Sequence, residues 1–158
     1  MKTAEASTLT TPTDRTIHIE RIFDARRDCV WKAFTEKDLL AMWWGRGHAL
    51  DVERLELEKG GHWRFVEHHD GGVDGFEGRF RDVTPPESMV QTFEWDGMPG
   101  YVSIQTATFT DLGDCRTKLG IDVLFPTTEE RDEMLGSGLQ AGMDEGYAAL
   151  DRMLATLC

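Results

Sequence analysis

Residues 127–157, TTEERDEMLGSGLQAGMDEGYAALDRMLATL, carry one apolar stripe: Leu135, Leu139, Met143, Tyr147, Leu150, Leu154 and Leu157. Steps of three and four residues put these side chains on one helical face. The spacing predicts a single helix over 127–157, roughly 45 Å long at 1.5 Å rise per residue. A helix of that length needs an equally long apolar surface to lie on, and the residues before it read as strands. A long helix laid across a curved sheet encloses an internal cavity, so the pattern points to ligand binding.

The start of the helix is marked. Thr127 or Thr128 can act as N-cap, Glu129 and Glu130 suit the first turn, and Pro126 ends the preceding strand. Gly136, Gly138, Gly142 and Gly146 each cost about 1 kcal/mol relative to alanine in a helix. They either let the helix approach the sheet closely or leave room near a cavity mouth.

Upstream, Thr16–Asp24 alternates Ile17 and Ile19 with His18 and Glu20 and reads as a strand. Asp28–Phe34 places Val30, Trp31 and Phe34 at helical spacing, with Asp24 or Asp28 available as cap. Glu36–Trp43 reads as a second short helix, ended by Gly45 after Trp43 and Trp44. From Asp51 the period changes to two. Strands are expected at 51–57, 62–68, 75–83, 89–95, 101–110 and 116–125, separated by turn signals such as Asp70-Gly71-Gly72 and Asp96-Gly97. Short turns between strands imply an antiparallel sheet. The first strand, cut off by two helices, must rejoin that sheet at an edge. Residues 1–15 form an expected flexible N-terminal tail, and 16–158 a single domain.

The composition bounds the function. Seventeen basic and 29 acidic residues give a net charge of −12. That argues against nucleic acid, which needs clustered Lys and Arg, and against anionic membrane surfaces. A basic protein partner remains compatible with it. Cys29, Cys115 and Cys158 are odd in number and widely spaced, without a CxxC pair. This argues against a disulfide framework and for a reducing, cytoplasmic location. The first residues lack the apolar core of a signal peptide, and no apolar run is long enough to span a bilayer.

The order and the residues together resemble the START-like, helix-grip superfamily, also labelled SRPBCC. The similarity is to its bacterial branch of activator of heat-shock protein 90 ATPase homologues, which is polyketide cyclase-like. It rests on IERIFDARRDCVWKAFTEKDLLAMWWG (19–45), Glu58-Lys59-Gly60-Gly61 with Trp63-Arg64-Phe65, Gly78 with VTPPESMVQTFEW (83–95), and GYAALDRML (146–154). Tyr147 departs from the pattern, where the family usually has Trp. The resemblance implies an α+β, Bet v 1-like fold. A curved antiparallel sheet of about seven strands would grip the long C-terminal helix, with two short helices after the first strand and a cavity between sheet and helix. It also implies two readings besides ligand binding. One is a chaperone-activating, protein-binding cofactor in stress response; the other is a cyclase- or hydrolase-like enzyme using the same cavity. The fold alone does not choose among them.

The candidate cavity wall is aromatic and apolar: Trp43, Trp44, Trp63, Phe65, Phe76 and Phe80, then Phe93, Trp95, Leu139, Met143 and Tyr147. Such a wall suits a small apolar or lipid-like molecule. His62, His68, His69, Glu67 and Glu77 raise the question of a metal or a general base. His68 and His69 point to opposite faces of a strand, and His62 and His68 share a face about 20 Å apart, too far for one ion. No metal, cofactor or catalytic residue is therefore expected. Arg64, Arg79 and Arg81 could hold a ligand carboxylate, but their spacing opposite Phe80 favours a solvated outer face. The Trp43-Trp44 segment or an open sheet edge offers a surface for a homodimer.

Overall fold

The computed structural model describes residues 7–157. In chain order the elements are β1 (Thr8–Thr10), β2 (Thr16–Phe23), α1 (Arg27–Thr35), α2 (Lys37–Trp43), β3 (Ala49–Leu55), β4 (His62–His69), β5 (Gly72–Thr84), β6 (Ser88–Trp95), β7 (Ser103–Gly113), β8 (Arg116–Leu124), α3 (Thr128–Gly136) and α4 (Leu139–Leu157). The strands form one antiparallel sheet in the order β1-β2-β8-β7-β6-β5-β4-β3. All neighbours from β3 to β8 are joined by consecutive connections. β2 rejoins beside β8, as the two intervening helices require.

Three elements differ from the sequence reading. The expected tail contributes an eighth strand. Thr8–Thr10 pairs with Glu20–His18, and Gln140 Nε2 donates to the Ser7 carbonyl at 3.1 Å, so this stretch is tied to the sheet and to α4. Residues 1–6, also assigned to the tail, lie outside the described residues. The C-terminal segment is two helices, because Gly138 takes a left-handed φ of +83° that a continuing helix cannot hold. α3 begins as expected, with Thr127 Oγ1 accepting from the Glu130 N–H, but none of its residues is buried. The stop after α2 is set by Arg46 (φ +57°) and Gly47 (φ +90°), while Gly45 stays out of the left-handed region. Cys29 is disulfide-bonded and Cys115 is an exposed thiol. Three distant cysteines carry no spacing signal for such a pairing, and the argument for a reducing location from the cysteines falls away. No helix among the described residues is long and apolar enough to cross a membrane.

Two apolar clusters make up the interior. The larger joins Phe23, Val30, Trp43, Trp63, Phe109, Leu119 and Leu150 with the C-terminal half of α4. The smaller joins Ile17, Ile19, Val123 and Phe125, with Leu135 and Leu139 packed on it. α4 is pinned to β2 by Arg21, whose buried guanidinium meets Asp151 at 2.7 Å and lies 4.8 Å from the Phe23 ring centroid. Trp63 crosses β5 to donate its indole N–H to the Thr92 carbonyl at 3.2 Å. That crossing explains Gly78. A Cβ there would fall 1.8 Å from Thr92 O and 2.7 Å from Trp63 Nε1.

Two predictions follow from this packing. Gly78→Ala must displace backbone, and should lower stability by on the order of 1–3 kcal/mol, read as a lower urea midpoint. His18 on β2 lies 2.8 Å from Glu20 and 2.6 Å from Asp122, and its hydrogen bonds to these carboxylates raise its pKa. A histidine raised on folding stabilises fully below its unfolded value, about 6.5, and loses that contribution as pH rises through its folded value. His18→Gln should therefore flatten the loss of stability as pH rises above about 6.5, measured as urea midpoints across a pH series.

Candidate functional site

Between the two apolar clusters lies a cavity of ≈ 450 Å³. The inner face of the sheet forms one wall; α2, α3 and the N-terminal half of α4 form the other. All eleven residues expected on the wall line it. Trp43 and Trp44 come from the end of α2, Trp63 and Phe65 from β4, and Phe76 and Phe80 from β5. Phe93 and Trp95 come from β6, and Leu139, Met143 and Tyr147 from α4. The rings touch in a lattice: Trp44 lies 5.2 Å from Phe65 and 5.0 Å from Phe76, and Phe93 lies 5.7 Å from Phe76, centroid to centroid. Such offset and edge-on contacts favour the walls holding their shape. Tyr147 is buried against Phe23 at 5.5 Å, and burial holds its phenol protonated well above the ordinary range.

One end of this apolar space is polar. Inward alternation along β4 runs Trp63, Phe65, Glu67, His69, and the hairpin register sets Glu67 opposite Asp74 on β5. The Glu67 side chain is only 1% exposed and is held by Arg46, with Nη2 donating to Oε1 at 2.8 Å and Nε to Oε2 at 3.4 Å. The hydrogen bond to Glu67 raises the Arg46 pKa further. Asp74 accepts from two sides: His69 Nε2 at 2.7 Å on Oδ2 and the Trp95 indole N–H at 3.0 Å on Oδ1. His69 Nδ1 accepts from the Gly71 N–H at 3.1 Å, so these partners assign the Nε2–H tautomer. Gly142 on α4 gives Arg46 room, while Gly146 lies at ordinary contact distance from it. A Cβ at Gly142 would lie 3.2 Å from Arg46 Nη1, and one at Gly146 would lie 3.8 Å from Arg46 Cγ.

Arg46 and Asp74 were not legible as site residues. Arg46 sits in a loop with no periodicity, and Asp74 becomes a neighbour of Glu67 only through the hairpin register. Glu67 and His69 were named, and continuing the Trp63/Phe65 alternation would have put both on the cavity side. Glu67, His69 and Asp74 each offer a ligand atom within 4.8 Å of the others. Strand alternation among His62, His68 and His69 carries no signal for this grouping, because the third member comes from the next strand. In the present arrangement Arg46, Gly71 and Trp95 already engage these groups. The remaining candidates lie elsewhere. His62 meets Glu77 at 3.6 Å and His68 meets Asp51 at 2.8 Å, both away from the cavity wall. Arg79 and Arg81 are exposed. Arg64 is bound on the outer face by Asp96 at 2.7 Å, Glu77 at 2.6 Å and Glu53 at 3.2 Å.

A curved antiparallel sheet closed by a C-terminal helix, with a cavity between them, is the helix-grip arrangement. The chain belongs to the family described as Activator of Hsp90 ATPase homolog 1-like protein, whose model matches residues 24–155. Among solved structures it is similar to a Rhodobacter sphaeroides protein, 28% identical, with 95% of this chain and 99% of that one covered and a TM-score of 0.87. It is also similar to DynU16, a protein of the dynemicin biosynthetic locus: 25% identical, 92% of this chain and 48% of that one, TM-score 0.67. CalU16 from Micromonospora echinospora shares the fold at 21% identity, 98% and 90% coverage and a TM-score of 0.62. No curated protein matches the chain.

The Arg46–Glu67 pair yields an asymmetric prediction. The Arg46 side chain is 38% exposed and can turn to water, whereas Glu67 cannot. Arg46→Ala leaves a buried carboxylate without its cation and should cost on the order of 3 kcal/mol. Glu67→Gln should cost distinctly less. Urea denaturation of the two variants checks the order.

Proposed function

We propose that this protein binds a small, mostly apolar molecule in the cavity between the sheet and α4. The observation that supports this reading most directly is the ≈ 450 Å³ space itself, walled by an aromatic lattice and ending in a polar cluster. A volume of that order lies within the range of small-molecule sites, and such sites combine apolar walls with a few placed polar groups. Burial of a ring system against these walls stabilises the complex by roughly 25 cal/mol per Å² of apolar surface.

The family's description favours a second reading, a protein-binding cofactor of a chaperone ATPase. Met42, 63% exposed on α2, would supply apolar contact for such a partner.

Met143 lines the cavity from α4 and offers the test. Met143→Trp should fill part of the space and weaken binding of a neutral fluorescent aromatic probe by about tenfold or more, a loss of about 1.4 kcal/mol, with the fold retained by circular dichroism. Unchanged probe affinity would reject the cavity reading. Stimulation of a chaperone ATPase that survives in the same variant would favour the second.

A further inference from the structure

The polar end of the cavity carries information about the ligand's own polar group. Among the described residues, the charged ones on the lining are Arg46, Glu67, Asp74, Glu130 and Glu133, one cation against four carboxylates. Arg46 closes on Glu67 through two of its nitrogens, so its charge is balanced there. That pair is locally neutral. Asp74 is different. Its two contacts come from His69 Nε2–H and from the Trp95 indole N–H, and with His69 in the tautomer its partners assign, both donors are uncharged. A carboxylate offers about four acceptor positions, so two donors fix its orientation and leave lone pairs to spare. The side chain is 30% exposed and lies on the cavity lining. Glu130 and Glu133, on α3, also border the cavity and carry the same sign of charge.

We infer that the cavity takes a molecule with an aromatic or alicyclic body whose polar end is a hydrogen-bond donor, best a protonated amine, held by Asp74, and that it disfavours carboxylates. The inference rests on the ligand-binding reading and narrows it to a ligand class. An ammonium group would complete the acceptor capacity of Asp74 and neutralise its charge away from bulk water, where a charge-assisted hydrogen bond is strongest. A carboxylate placed there would meet Asp74, and the one cation on the lining among the described residues, Arg46, is already balanced by Glu67. The arginines that might have bound an anion, Arg64 and Arg79, are occupied on the other face of the sheet by Asp96 and by the Gly60 carbonyl.

The test uses the full chain and three probes with one ring system: 9-anthracenylmethylamine, 9-anthracenemethanol and 9-anthracenecarboxylic acid, titrated calorimetrically at neutral pH and low salt. The amine should bind tighter than the acid by on the order of tenfold or more, with the alcohol between them. In Asp74→Asn, which keeps shape and removes charge, the amine should fall to the level of the alcohol while the alcohol itself is little changed. Acid binding equal to or tighter than amine binding would overturn the inference and leave the cavity reading standing. An amine preference that persists in Asp74→Asn would overturn the role given to Asp74. Failure of all three probes, the neutral alcohol included, would overturn the cavity reading and this inference with it.

Discussion

Along α4 the size of the inward residues changes from one end to the other, and the interior follows that change. The C-terminal half presents Leu150, Met153 and Leu154, all buried, which pack solidly on α1, α2 and the sheet. The N-terminal half presents Gly142, Met143 and Gly146, which do not fill the space beneath them. Close packing is the default for a protein interior, so an unfilled volume this large must be held open by its surroundings. The solid half does so. Arg21 bound to Asp151 and the contact of Tyr147 with Phe23 fix the helix axis, and the helix cannot tilt down onto the sheet to close the gap.

Gly142 also serves the polar end. It leaves room for the Arg46 side chain to cross the helix surface and reach Glu67, a buried carboxylate that His48 approaches less closely, at 3.7 Å. Removing an ion from water costs several kcal/mol and is tolerated only when a counter-charge and hydrogen bonds are supplied. The left-handed backbone at Arg46 and Gly47 is part of how the chain delivers that guanidinium. A cavity that is apolar along its length and polar at one end orients an amphiphilic guest. This arrangement links the packing of one helix to the ligand class proposed for the site.

Much of the fold was legible because it rests on local periodicity. The strand alternation, the turn signals and the Thr127 cap place seven of the eight strands and all the helical segments within a few residues of where they lie. The cavity wall was legible for the same reason, since a large inward aromatic on a strand has nowhere else to face. The helix break was not, because the apolar stripe runs on through Ser137 and Gly138 and masks the single backbone angle that decides it. β1 was missed because Thr8–Thr10 has no apolar alternation and is held by pairing with β2. The polar cluster was missed because it is non-local: Arg46, Glu67 and Asp74 come from three elements, and only strand register and a loop conformation bring them together.

The account's central claim is that guests enter the space under α4 and do not merely dock on the surface. Methionine methyl groups report on this directly. Met89, Met98, Met134 and Met143 line the cavity, while Met42 stands exposed on α2. With methyl-labelled methionine and 9-anthracenylmethylamine as guest, the account predicts chemical-shift changes at the cavity methyls and none at Met42. Shifts at Met42 with silent cavity methyls would contradict it and relocate the function to the outside of the molecule.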